Sequence, residues 1–320
     1  MNSSRNICRH LFAGLLFGLA LCSTNLMAQV SIGPVSIAAG GITPGDSPGY
    51  PATISVSGSY KLGSNLSSGG GTAVEITASN VTLDLNGYTI DGGAAACQPN
   101  IAGPGNTCSG SATIISLIDA TDRSVTIRNG MVRRSKGNGI AVGESSRIDD
   151  VSSQENRGFG IISTGKALVS NVHVSLNGMN GFFTEGTAIL SNVSADYNNA
   201  SGIYSTPGSM HDIHASFNVG SGIMPGFSTV VRAEARHNGD AGIWGGSVVR
   251  DAVSQRNAGP GFRSNYGGLY INDWADDNDG GGFDLNAGGT NCYSQIWAKN
   301  NATFQISGGT ALNGTTVTCM

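Results

Sequence analysis

From residue 135 to residue 285 the chain alternates apolar and polar positions in short runs, and the pattern returns about every twenty residues. The run Ala167-Leu-Val-Ser-Asn-Val-His-Val174 is typical, with apolar residues on every second position. Such β-branched runs, broken by Gly, Asn and Ser, predict strands and turns. Each period also carries the mark Asn-x-x-x-Gly-(Ile/Phe). It reads Asn156 with Gly160-Ile161, Asn177 with Gly181-Phe182, Asn198 with Gly202-Ile203 and Asn218 with Gly222-Ile223. It continues with Asn238 and Gly242-Ile243, Asn257 and Gly261-Phe262, and Asn278 and Gly282-Phe283; Ser135 with Gly139-Ile140 is a weaker first copy. The apolar residue after the glycine advances by 21, 21, 21, 20, 20, 19 and 21 residues. Such regularity marks a solenoid, in which each repeat is one coil and stability comes from stacking.

A helical repeat would need solvated, charged faces, yet the chain is only 12% charged and holds 49 glycines. A coil of about 20 residues instead holds three short strands, each paired to the next coil at about 4.8 Å. The repeated Asn is expected inside a turn, bonded to the same Asn in the coils above and below. The repeated Gly is expected to supply a backbone conformation closed to other residues at the corner before the inward Ile or Phe.

Two further stretches, Asn80-Val-Thr-Leu-Asp-Leu-Asn-Gly-Tyr-Thr-Ile90 and Val125-Thr-Ile-Arg-Asn-Gly130, read as the first full coils. With them, the repeats from Gly139 to Phe283 resemble the right-handed parallel β-helix proteins of the pectate-lyase-like superfamily. The resemblance implies an all-β fold, a single-stranded right-handed parallel β-helix of about ten coils with capped ends. The expected division is a signal peptide over 1–28, an N-terminal cap and first strands over 29–79, β-helix repeats over 80–291, and a C-terminal coil and cap over 292–320. A superfamily of lyases, hydrolases, epimerases and adhesins fixes architecture better than activity.

Arg5 and Arg9, the apolar stretch from Leu11 to Leu21 and a cleavage position at Ala28 read as a secretory leader, so the protein is expected to be secreted or periplasmic. No later segment is long and apolar enough to span a membrane. Cys22 follows Leu21, where a lipoprotein signal needs a small residue. Cleavage leaves Cys97, Cys108, Cys292 and Cys319, and an even count in an exported chain suggests disulfides Cys97–Cys108 and Cys292–Cys319. It also removes two of the 17 basic residues and none of the 21 acidic ones, leaving a net charge of −6. That balance argues against a nucleic-acid partner and weakens tight binding of a polyanion.

Strand alternation sends the residues after the inward Ile or Phe outward: Ala141, Ile162, Phe183, Tyr204, Met224, Trp244, Arg263 and Asp284. Phe183, Tyr204, Trp244 and Arg263 read as a platform for sugar rings; the competing reading is a stripe covered by a loop or by a second subunit in an oligomer. A second outward face lies just before each ladder Asn. Four residues upstream are Ser152, His173, Ser194, His214, Glu234, Val253 and Trp274; two upstream are Gln154, Ser175, Asp196, Ser216, Arg236, Gln255 and Asp276. The period brings His214 within about 5 Å of Glu234, with Arg236 on the same coil and Asp196 one coil away. For a uronate-cleaving lyase, Arg236 would neutralise the substrate carboxylate and His214 would be the base, held by Glu234. For a glycoside hydrolase the pair would be Asp196 and Glu234, about 10 Å apart at Cβ, a loose match to inverting spacing. Mutually compensating surface charges are the plainer reading.

Signatures of the superfamily's better-marked enzymes are absent: the chain has no Asn-Thr-Asp, Gly-His-Gly, Arg-Ile-Lys or Asp-Pro-His. No metal site or cofactor is expected from ligand spacing. Calcium at Asp273, Asp276, Asp277 and Asp279 is the alternative to a solvated acidic turn. Three functions stay open: an enzyme on an extracellular or periplasmic polysaccharide, a glycan binder without turnover, and a structural protein.

Overall fold

In the computed structural model, residues 29–108, 115–246, 248–264, 266–286 and 290–311 are described. The expected leader over 1–28 and Cys319, one half of the second expected disulfide, lie outside them.

Among the described residues every pairing between strands is parallel, and successive partners lie one coil apart. Three ladders run the length of the molecule. The first carries the Gly-(Ile/Phe) marks, with Ile140, Ile161, Phe182, Ile203, Ile223, Ile243, Phe262, Phe283 and Ile306 in register. It counts twelve strands among the described residues, from Ala52–Ile54 to Ile306–Gly308. The coils thus number about twelve instead of ten, because stacking begins before residue 80. The second ladder opens on Val30–Ile32 and the third on Leu66–Ser67. The helix Pro34–Ala39 puts Ile37 into the core at the N-terminal end. Among the described residues no helix is long and apolar enough to cross a membrane.

The core is the inside of the tube. On the third ladder Ser153, Val174, Ala195, Ala215, Ala235, Ser254 and Ala275 point inward and are fully buried. At the next corner the Asn ladder forms as expected. Each Nδ2 donates to the Oδ1 of the next coil's Asn at 2.9–3.0 Å, from Asn156 through Asn278 to Asn301. Each Oδ1 also accepts the backbone N–H of the Asn before it, as Asn198 does from Asn177 at 3.1 Å. These amides are buried and satisfied, which is what a polar group in a tube interior requires.

The repeated glycines act differently from expectation. Gly160, Gly181, Gly202, Gly222, Gly242 and Gly261 do not take left-handed backbone angles. What they lack room for is a Cβ. At Gly202 it would fall 2.7 Å from both the Gly222 carbonyl oxygen and the Asn218 amide nitrogen. The left-handed residue of this corner is instead the one before each Asn, including Tyr197, Phe217 and His237 at φ 56°, 55° and 53°. Such angles cost a non-glycine residue roughly 1 kcal/mol. Here coil-to-coil bonds oppose that cost, as in Tyr197 N–H to Ser216 O at 3.0 Å and Phe217 N–H to Arg236 O at 3.1 Å.

Candidate functional site

The outward residues of the third ladder form an open groove across three coils. Its cavity of about 320 Å³ is lined by His173, Ser175, Leu176, Asp196, Tyr197, His214, Ser216 and Phe217. Asp196 sits at the centre. Its Oδ1 accepts the backbone N–H of Ser216 at 3.1 Å and the Ser216 hydroxyl at 2.5 Å; its Oδ2 accepts the Ser194 hydroxyl at 3.2 Å. Two imidazoles flank it: His173 Nδ1 lies 3.8 Å from Oδ2 and His214 Nε2 lies 3.7 Å from Oδ1. On its other side His214 presents Nδ1 to Glu234 Oε2 at 3.6 Å, and Glu234 is paired with Arg236. Asp196, His214, Glu234 and Arg236 are therefore one connected cluster, as the coil spacing suggested, and His173 joins it through Ser194.

Three features of the groove were not read from the sequence. Tyr197 and Phe217 form its side wall, their rings stacked at 4.8 Å, and His237 continues the stack at 4.7 Å. Burial first, then the charges of Arg256 and Arg236, hold the His237 imidazole below its usual pKa. The third feature is the docking of the loop closed by the Cys97–Cys108 disulfide, a pairing that the cysteine count did suggest. It crosses from the early coils to this corner, where Asn106 Nδ2 donates to the carbonyls of Asn177 at 2.9 Å and Tyr197 at 2.6 Å. Gly105 N–H donates to the Phe217 carbonyl at 2.6 Å. The loop thus pins the backbone that carries the aromatic wall.

The Phe183–Tyr204 stripe lies on the first ladder, around the corner from this groove. Phe183 stacks on Phe159 at 4.9 Å and on Tyr204 at 5.1 Å. Trp244 is covered by the Arg263 guanidinium, 4.9 Å above its ring, and Arg263 also reaches Asp240 at 3.2 Å. The four aspartates considered for calcium are divided between inside and outside. Asp273 is fully buried with Oδ1 on the Ala252 N–H, while Asp277 lies outside, paired with Arg256. Among the described residues no group of three His, Cys, Asp or Glu side chains is placed to hold a metal.

In structure the chain is similar to the A-module of the Azotobacter vinelandii mannuronan C-5 epimerase AlgE6. The TM-score is 0.51 at 16% identity, over 81% of this chain and 92% of that one. The likeness is one of fold, a parallel β-helix. The AlgE4 A-module of the same organism aligns with a TM-score of 0.48 at 15% identity, over 80% of this chain and 87% of its own. Pectate lyase Pel9A aligns at 0.46 and 15% identity, over 76% of this chain and 71% of its own. No protein-family model matches the chain, and no curated protein matches it in sequence.

Proposed function

We propose that this parallel β-helix is an exported protein that acts on a polysaccharide by lyase-type proton abstraction, with His214 as the base. The observation that carries the reading is the position of the His214 ring, between the carboxylates of Asp196 and Glu234 at 3.7 and 3.6 Å. An imidazole so placed can take a proton and hold it as a cation stabilised from both sides. Arg236, on the same coil as Glu234, is the group for a substrate carboxylate. The same geometry disfavours hydrolysis by Asp196 and Glu234. The imidazole occupies the space between the two carboxylates that a sugar and a water would need. Polysaccharide as the substrate class accords with a fold shared with a mannuronan epimerase module, and the Cys97–Cys108 disulfide supports an oxidising compartment.

The test is a panel of polysaccharides incubated with the purified protein, read for unsaturated uronate products and for new reducing ends. Unsaturated products are expected, and His214→Ala should lower their rate by about 100-fold or more. Reducing ends without unsaturation would turn the assignment to Asp196 and Glu234. No product from any polymer would leave the second reading, a glycan binder without turnover, which the exposed tryptophans described next favour.

A further inference from the structure

Two tryptophans stand outward on the column that carries His214 and Glu234. From Glu234 the register runs through Val253 to Trp274 and then Trp297. Three coils separate His214 from Trp274, a span of about 14 Å along the axis. Both indoles are open to solvent, at 41% and 48% exposure.

Their geometry differs from that of the closely stacked aromatic pairs on neighbouring coils. Phe262–Phe283, Tyr197–Phe217 and Phe183–Tyr204 stack at 4.6, 4.8 and 5.1 Å, each ring covering its neighbour. Trp274 and Trp297 lie 6.4 Å apart with planes 27° from parallel, so much of each ring face remains free. The rim is mostly polar: beyond half-buried Val253 and Ile296, Asn272, Gln295 and Lys299 are exposed, and Gln255 and Asp276 are half-buried on the adjoining column. An aromatic pair at the centre of a protein interface would have apolar neighbours. Wet ring faces rimmed by amide, carboxylate and ammonium groups suit a ligand that is apolar on one face and hydroxylated around its edge, as a pyranose is. The charges nearby balance, with Asp251, Asp276 and Asp277 against Arg250, Arg256 and Lys299, and Arg256 is already paired with Asp277 at 3.3 Å. That balance gives a sugar carboxylate no net attraction, whereas a neutral ring needs none.

We infer that Trp274 and Trp297 form a binding subsite for neutral sugar residues of a glycan lying along the helix axis, in line with the His214 groove. The inference shares with the proposed function the premise of a glycan partner, and it does not require turnover.

The test titrates the purified protein with cellohexaose, xylohexaose and mannohexaose, with hexagalacturonate as the acidic comparison, by calorimetry and tryptophan fluorescence. At least one neutral hexasaccharide should bind and perturb the emission. Trp274→Ala and Trp297→Ala should each weaken that binding about tenfold, with thermal midpoints unchanged. Trp274→Phe and Trp297→Phe should restore part of it, and Arg147→Ala, exposed on a coil far from both indoles, should leave it within about twofold. Failure of all three neutral hexasaccharides to bind, binding of hexagalacturonate alone, or unchanged affinity in both alanine variants would each overturn the subsite. A silent His214→Ala in the product assay would overturn the lyase reading and leave this one standing.

Discussion

The inward and outward halves of the third-ladder strands are built on opposite rules. In the segments 194–196, 214–216 and 234–236 the middle residue is alanine each time, fully buried and stacked on its copy. The residues on either side change with every coil, from Ser194 and Asp196 to His214 and Ser216 to Glu234 and Arg236. A period of two lets one strand obey both rules. The interior repeats because each coil must fit a copy of itself, whereas the outer face meets solvent or ligand and is free to vary. Chemistry therefore collects where repetition is not required.

The comparison breaks most sharply on the inward side. Asn198→Ala removes the acceptor for the backbone and side-chain N–H groups of Asn177 and the donor to the Val174 carbonyl. It should cost about 3 kcal/mol, read from a denaturant titration. Gly202→Ala should cost a similar amount, about 3 kcal/mol, because the new methyl meets backbone and an amide, not a side chain that can move aside.

Asp273 is the inward position that departs from the rule, and it offers a graded test. It lies in register with Ala252 on a column that holds Val193, Ile213 and Ala233 in earlier coils. Burial pushes its pKa up from 3.8 to about 8. Between those values the folded chain binds the proton that the unfolded chain has released. Stability should therefore fall as pH rises from about 4 to about 8, by at most about 1.4 kcal/mol per unit, and level off above. Asp273→Asn should flatten that fall in a pH series of melting midpoints; an unchanged slope would assign it to other groups.

The smallest effect belongs to an outward pair. Arg232 grips Asp212 through two bonds of 2.7 and 2.9 Å at an exposed corner. Solvent screens both partners, so Arg232→Ala should leave the melting midpoint unmoved. A clear drop there would mean that outward contacts share the structural task.

Much of this was legible because register in a solenoid is arithmetic. A period of 20 by itself places His214 beside Glu234, and the alternation within 167–174 says which residues face in. The function of the repeated glycine was misread because sequence does not separate a residue needed for its backbone angle from one needed for its missing side chain. Trp297 escaped notice because the last coil breaks the mark: Asn301 follows Asn278 by 23 residues and is succeeded by Gln305, not glycine. Its pairing with Trp274 depends on a register that the mark no longer supplies. The loop at Cys97–Cys108 was seen as a closed loop, but its contact with Asn177, Tyr197 and Phe217 joins residues roughly 70 to 110 apart, across several coils.

By itself the sequence determined the coil, its strands, its inward stack and its Asn ladder, since these follow from a local period that every repeat states again. The tertiary structure alone decided how the groove is walled, which aromatic faces stay open and which acid is buried. Those features depend on side chains from separate coils meeting at a corner or on a loop crossing the stack, and no local period encodes such meetings.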